Sequence, residues 1–252
     1  MDLEHVNEQL SVNLDVAIVT LFPELFSTFL RTSFVHRAIA ERKLTVLLEY
    51  LREHGRGKHR SVDDTPYGGG AGMVMRVDCV LEAIESAEAK LGASPRAHRV
   101  LLTPQGRPFT QAAAAALATR GKVVLVCGRY EGFDERTRSH VDEEISLGDF
   151  VLTGGEIPAM AVVEACIRML PGVLGNEQSS EDESFSAARD GWLEYPQYTR
   201  PVEYRGQAVP DVLKGGNHAR IEQWRREQSY ARTVERRPDL IAGASTRKSE
   251  TS

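Results

Sequence analysis

GRYEGFDERTRSHVDEEISLGDFVLTGGE, residues Gly128–Glu156, decides the reading of this chain. The apolar run KVVLVC, Lys122–Cys127, feeds straight into it. Six such residues ending at a glycine predict a buried strand of a parallel sheet. A shorter run, Glu144–Leu147, ends at Gly148, and Gly154-Gly155 follow. Glycine-rich turns just past strand ends are where an open α/β sheet binds its ligand. There glycine lets backbone amides and carbonyls approach a ligand with no Cβ in the way. The alternative is a set of ordinary turns between sheet and helices.

Working outward, DVAIVTL (Asp15–Leu21) predicts a first strand, and Phe22-Pro23-Glu24 opens a helix with Leu25, Phe26, Phe29 and Leu30 at helical spacing. Leu44–Leu48 predicts a second strand. The basic segment after it, with Arg52, Arg56, Lys58 and Arg60, reads as a mobile loop, either simply solvated or in contact with phosphate. PYGGGAGM (Pro66–Met73) is glycine-dense but is neither a Walker loop nor GxGxxG. A helix over Asp78–Leu91 presents Val80, Ile84 and Ala87 on one face. RVLLT (Arg99–Thr103) predicts a third strand, and Thr110 caps a helix running to Arg120. EIPAMAVVEACIRML (Glu156–Leu170) is apolar on most faces, which predicts a buried helix stopped by Pro171-Gly172.

Strands alternating with helices over residues 15–172 predict an α/β domain with a mainly parallel sheet. Residues 175–191 turn polar and acidic without period and read as a flexible linker. Residues 192–252 then form a small helical C-terminal domain, and residues 1–14 an N-terminal extension. Within that domain, His218–Pro238 holds six arginines against three glutamates, with Trp224 and Tyr230 among them. The bland reading is a solvated helical face. The mixture of arginine and aromatic residues favours a nucleic-acid surface.

A net charge of −5, from 31 Lys+Arg against 36 Asp+Glu, means that any such binding uses a local patch. Three widely spaced cysteines, Cys79, Cys127 and Cys166, with no CxxC pair among them, argue against a zinc site or a disulfide framework and predict small core residues. No run approaches a membrane span, and the polar start is no signal peptide. A cytoplasmic protein with no membrane partner is expected.

The ordered set FPELF (Phe22), DDTPYGGGAGMVM (Asp63), TPQGRPF (Thr103), GRYEGFDER (Gly128), DEEISLGDFVLTGGEIPAM (Asp142), PGVLGNE (Pro171), YTRP (Tyr198), GNHARIEQWRREQS (Gly216) and RRPDL (Arg236) closely resembles the bacterial tRNA (guanine-N1)-methyltransferase family, knotted methyltransferases of the TrmD type. The match covers nearly all of residues 15–241. It implies a trefoil knot in the C-terminal part of the α/β domain, which periodicity could not show. It also implies S-adenosylmethionine as methyl donor. The donor site carries over to Leu102, Thr103, Pro104 and Gln105, to Gly128, Tyr130 and Glu131, to Leu147, Gly148, Asp149, Phe150, Val151 and Leu152, and to Gly154, Gly155 and Pro158.

The reaction implied is methylation of N1 of the guanine 3′ of the anticodon, position 37 of tRNA. Guanine N1 is a poor nucleophile until it loses its proton, so a carboxylate base is needed. A cation near O6 stabilises the charge that develops there. Arg168 matches the family's arginine for that role; read alone, a charged residue in EACIRML suggests a salt bridge to Glu164. The family carries aspartate before Ser-Phe, whereas here the order is Glu181-Asp182-Glu183-Ser184-Phe185. The aligned base is Glu183, with Asp182 as the alternative displaced by one residue. The linker is also longer by a few residues between Ser184 and Tyr195.

The resemblance further implies a homodimer in which one subunit's donor pocket faces the other's linker. It places tRNA contacts on the basic C-terminal helix at His218, Arg220, Arg225, Arg226 and Arg232. No metal cage is evident, so a divalent cation such as Mg2+ would be loosely held. Two rivals stand beside this reading. One is a knotted methyltransferase acting on another RNA position, such as a ribose 2′-hydroxyl, and the other is a non-catalytic RNA-binding relative. Retained Arg168 and an intact LGDFVLTGGE loop argue against the second.

Overall fold

A computed structural model describes residues 13–174 and 182–241. The N-terminal extension up to residue 12, residues 175–181 of the expected linker and the tail from 242 lie outside the described residues. The chain divides into two compact units, residues 1–175 and 176–252.

The first unit is built on five strands, β1 (Leu14–Thr20), β2 (Leu44–Tyr50), β5 (His98–Pro108), β6 (Lys122–Cys127) and β7 (Glu143–Ser146). Two two-residue strands, β3 (Asp63–Asp64) and β4 (Val74–Met75), form a separate antiparallel pair. The sheet order is β2-β1-β6-β5-β7, and every pairing in it is parallel. Its helices are α1 (Phe26–Phe29), α2 (Ser33–Ala40), α3 (Val77–Leu91), α4 (Gln111–Ala118) and α5 (Glu156–Ile167). The mainly parallel α/β reading holds.

Strand periodicity sorts the core. Leu14, Val16 and Ile18 of β1 face one cluster, with Phe26, Val35, Leu117 and Val162 from α1, α2, α4 and α5. Ala17 and Val19 face the other, with Val80, Ala83, Ile84 and Ala87 of α3. Covering both faces explains why the strands read as continuous apolar runs. Ile18 pairs with Leu125 at the sheet centre, and both are fully buried. Each contributes roughly 1.5–3 kcal/mol, so this pair anchors the two central strands that lead up to the site.

Several boundaries differ from the sequence expectation. β5 runs on to Pro108 because the chain leaves the ladder and returns: Leu102 and Arg107 both pair with Ile145, and Thr103–Gly106 loops out between them. A Cβ on Gly106 would lie 2.4 Å from the Ile145 amide nitrogen, so only glycine permits this return. The stretch from Leu25 is a 3₁₀ turn (Pro23–Leu25) followed by the four-residue α1, not one long helix. Thr110 does cap α4, accepting from the Ala113 amide. Helix α5 is less enclosed than its composition suggests: Ala159, Val162, Val163, Cys166 and Ile167 are buried, but Ile157 is 58% exposed. The basic segment after β2 is not a bare loop. Arg56 and Ser61 bridge, and the Arg56 guanidinium bonds Asp78 and Glu82 at the start of α3. All three cysteines are buried and unpaired.

The second unit carries a two-residue hairpin, β8 (Glu203–Tyr204) with β9 (Gln207–Ala208), the short helix α6 (Asp211–Lys214) and the long helix α7 (His218–Arg236). Asn217 caps α7 by accepting from the Arg220 amide. Among the described residues, no helix is long and apolar enough to cross a membrane.

Candidate functional site

The site lies at the carboxyl ends of β5, β6 and β7, where an open parallel sheet leaves a crevice. A cavity of about 410 Å³ opens there, a size ordinary for a small-ligand pocket. Its walls come from the loop after Leu102, the turn after Cys127, the end of β7 and the approach to α5. Of the residues expected at a donor, Leu102, Thr103, Pro104, Gln105, Gly128, Tyr130, Glu131, Leu147, Phe150, Val151, Leu152, Gly154, Gly155 and Pro158 line this single cavity. Gly148 and Asp149 are not in its lining.

Sequence reading did not single out Arg129, Phe133, Glu135, Arg138, Ile145, Ser146 or Thr153, which also line it. Arg138 is the most consequential. Its guanidinium bonds Glu135 at 2.8 Å and also reaches Glu144 and the Gln105 side-chain oxygen. It thereby joins three walls of the cavity. Nothing in the polar run DERTRSH distinguished it, because its reach depends on β7 lying beside β5.

Beneath the cavity sits a charged knot of side chains. Glu156 opens α5 and is 1% exposed. It accepts from the Thr20 hydroxyl at 2.9 Å, at the end of β1. Arg129 Nη2 forms an ion pair with Glu156 Oε2 at 2.9 Å, and Arg129 Nε donates to Glu156 Oε1 at 3.4 Å. The same guanidinium donates to the Thr153 carbonyl at 3.2 Å and lies 4.4 Å over the Phe22 ring. The turn is therefore pinned to the sheet from below.

The glycines of this turn also serve the packing of the chain itself. A Cβ at Gly154 would fall 2.2 Å from Arg129 Nε and 2.5 Å from Glu156 Oε2. One at Gly155 would meet the Cys127 Cα at 2.6 Å and the Gly128 nitrogen at 2.8 Å. Close packing of the turn on the strand and on the Arg129 and Glu156 side chains by itself demands glycine here. Tyr130 holds φ 58°, unusual for a bulky residue. Burial and the nearby Asp63 carboxylate push its phenol pKa up. Burial, with the Glu156 charge second, pushes the Cys127 thiol well up.

Arg168 follows α5 and is half-buried. In the second unit, Asp182 and Glu183 belong to a loop described below. His218, Arg220, Arg225, Arg226 and Arg232 all lie on α7. Three of them also make contacts inside the unit. Arg225 stacks over Tyr195 at 4.7 Å, Arg226 pairs with Asp190 at 3.1 Å, and Arg232 donates to the Glu194 carbonyl. Among the described residues, no cluster of three or more His, Cys, Asp or Glu side chains could hold a metal ion.

Fold and cavity together define an α/β protein with a cavity of small-ligand size at the ends of its parallel strands. The profile of one family, tRNA (Guanine-1)-methyltransferase TrmD, matches residues 14–243. A tRNA (guanine-N(1)-)-methyltransferase of Sorangium cellulosum is 60% identical over 89% of this chain and 92% of the relative. Relatives of the same name from Anaeromyxobacter sp. and Staphylococcus aureus are 53% and 50% identical, each over roughly nine-tenths of both chains. The chain belongs to the tRNA (guanine-1)-methyltransferase TrmD family.

Proposed function

We propose that this chain transfers a methyl group from S-adenosylmethionine to N1 of the guanine immediately 3′ of the anticodon in tRNA. The observation that carries the proposal is the convergence of fourteen expected donor residues on one strand-end cavity. The cavity fits the donor's chemistry: Leu102, Val151, Leu152 and Pro158 supply apolar walls for an adenine, and backbone groups at the strand ends supply its hydrogen bonds. Glu131 and Glu135 offer carboxylates to the cationic sulfonium and amine ends. Bound there, the donor supplies an electrophilic methyl group.

The chain's own part is proton and charge handling. Guanine N1 must lose its proton as it attacks. Glu183 is proposed as the base, with Asp182 the alternative, and the proton passes to its carboxylate oxygen. Arg168 would stand by the guanine O6 as charge develops there. The base must leave the anticodon stack to be reached. His218, Arg220, Arg225, Arg226 and Arg232 would hold the tRNA backbone.

The finer features of the family complete the reading. We infer a trefoil knot, supported by the loop Thr103–Gly106 pressed against β7. We infer a homodimer, supported by exposed apolar side chains, Phe150, Val151 and Leu152 of the cavity lining and Ile157 of α5 next to them. The division of labour would run as residues 15–174 for the donor, 175–191 as the connecting segment and 192–252 for tRNA, in the cytoplasm where tRNA is found. Any Mg2+ would be loosely held.

Calorimetric titration tests the donor site. S-adenosylmethionine should bind the full chain, and Leu152→Arg should lose that binding while keeping its circular dichroism. Equal affinity in the two would move the donor elsewhere.

A further inference from the structure

The stretch expected to be a flexible connector is, from Asp182 onward, a folded loop docked on α7. Phe185 donates to the Trp192 carbonyl at 2.8 Å, Gly191 to the Ser186 carbonyl at 3.0 Å, and the Glu194 amide to Ser184 Oγ at 2.9 Å. Phe185 holds φ 70°, a conformation that a bulky residue keeps only when its surroundings dictate it. The loop docks through the Leu193 amide, which donates to Thr233 Oγ1 at 2.9 Å, and through Trp192, edge-on to Tyr230 at 5.1 Å.

At its centre is Arg189. It is 8% exposed, which is rare for an arginine without dedicated partners. Its Nη2 lies 2.6 Å from Asp182 Oδ1, and its Nε donates to the Asp182 backbone carbonyl at 3.1 Å. Its guanidinium lies 4.6 Å over the Tyr195 ring, and Glu222 stands 3.9 Å away. A planar fork that grips the carbonyl and the carboxylate of one residue while stacking on an aromatic fixes that residue in position and direction.

We propose that Arg189 is a positioning residue: by clamping Asp182 it holds the adjoining Glu183 at a set place on α7, so that the base is presented before tRNA arrives. The proposal rests on the reading of the acidic pair as the source of the base, and it divides the pair. Asp182 is the anchor, because Arg189 grips both its carboxylate and its backbone carbonyl, and Glu183, at the position the family pattern gives the base, is the base.

The test is single-turnover methyl transfer by the full chain, at saturating S-adenosylmethionine and tRNA, across pH. Arg189→Met and Asp182→Ala should each slow transfer roughly 10–10²-fold, the usual cost of a misplaced group. Both should keep the rise of rate with pH that a titrating base produces. The double variant should be no slower than either single one, and Arg189→Lys should restore part of the rate through its retained charge. Affinities for tRNA and donor should be unchanged. Glu183→Gln should lose the pH rise and slow transfer roughly 10²–10⁴-fold.

A wild-type rate in Arg189→Met or in Asp182→Ala, beside a crippled Glu183→Gln, overturns the clamp alone. Loss of the pH rise in Asp182→Ala with its retention in Glu183→Gln overturns the division of roles. Wild-type rates in all of them overturn the base reading itself. Should Arg189→Met fail to fold, Asp182→Ala carries the same test.

Discussion

Replacing Arg129 by methionine is expected to strand a carboxylate inside the protein. Methionine keeps the apolar stem but ends at the position of Nε, so the stacking of the guanidinium on Phe22 is lost as well. It removes the ion pair to Glu156 at 2.9 Å and the bond to the Thr153 carbonyl. Glu156 keeps only the Thr20 hydroxyl, at 2.9 Å, and its side chain is 2% exposed. Removing one partner of a buried pair costs roughly 3–5 kcal/mol. Two features moderate this. Glu156 sits in the first turn of α5, where the helix dipole favours an anion by up to about 1 kcal/mol. Arg129 itself is 21% exposed, so water can enter the space it leaves. The lower end, about 3 kcal/mol, follows. Adding Glu156→Gln removes the stranded charge, and the double variant should recover roughly 2 kcal/mol of that loss. Both tryptophans, Trp192 and Trp224, lie in the second unit, so fluorescence would miss the event. Native-state hydrogen exchange of the β6 amides reads the first unit directly. A loss below about 1 kcal/mol for Arg129→Met, or a double variant whose loss equals the sum of the singles, would refute the buried-pair reasoning.

Three further outcomes are expected. Gly154→Val should abolish donor binding in calorimetry because the side chain collides with Arg129 and Glu156; it should also destabilise the first unit by roughly 1–3 kcal/mol, whereas a purely ligand-facing glycine would leave stability unchanged. Burial pushes the Cys166 thiol up to about 12 and the Cys127 thiol well up; alkylation at pH 8, followed by mass spectrometry, should label neither until denaturant is added. The Arg76 guanidinium, followed by that of Arg56, holds the Asp78 carboxyl far below the usual carboxylate range. Its folded pKa is depressed, so its contribution to stability is present above the unfolded value of about 3.9 and is lost as pH falls below it. Asp78→Asn should show a shallower acid limb in urea midpoints than the wild type.

What could be read from sequence follows the range of the interactions involved. Parallel strands and the spacing of α3 show because burial on two faces leaves a periodic, local mark, as at Val80, Ile84 and Ala87. The cavity was legible because strand ends and glycine turns coincide. The reason for Gly154 and Gly155 was not, since it lies in Arg129, Glu156 and Cys127, which only folding brings together. Arg138 was hidden among like-looking charges. The ordered loop from Asp182 looked like linker because its stability comes from Arg189, Tyr195, Ser229 and Thr233, contacts spread over fifty residues with no period to betray them.

The central claim is methyl transfer to guanine N1, and one measurement meets it directly. The full chain is incubated with S-adenosylmethionine and either of two tRNA transcripts that differ only in carrying guanine or adenine 3′ of the anticodon. Nucleosides are then identified by mass spectrometry. The account predicts N1-methylguanosine from the first transcript and no methylation of the second. A methylated ribose, or equal methylation of both transcripts, would contradict it.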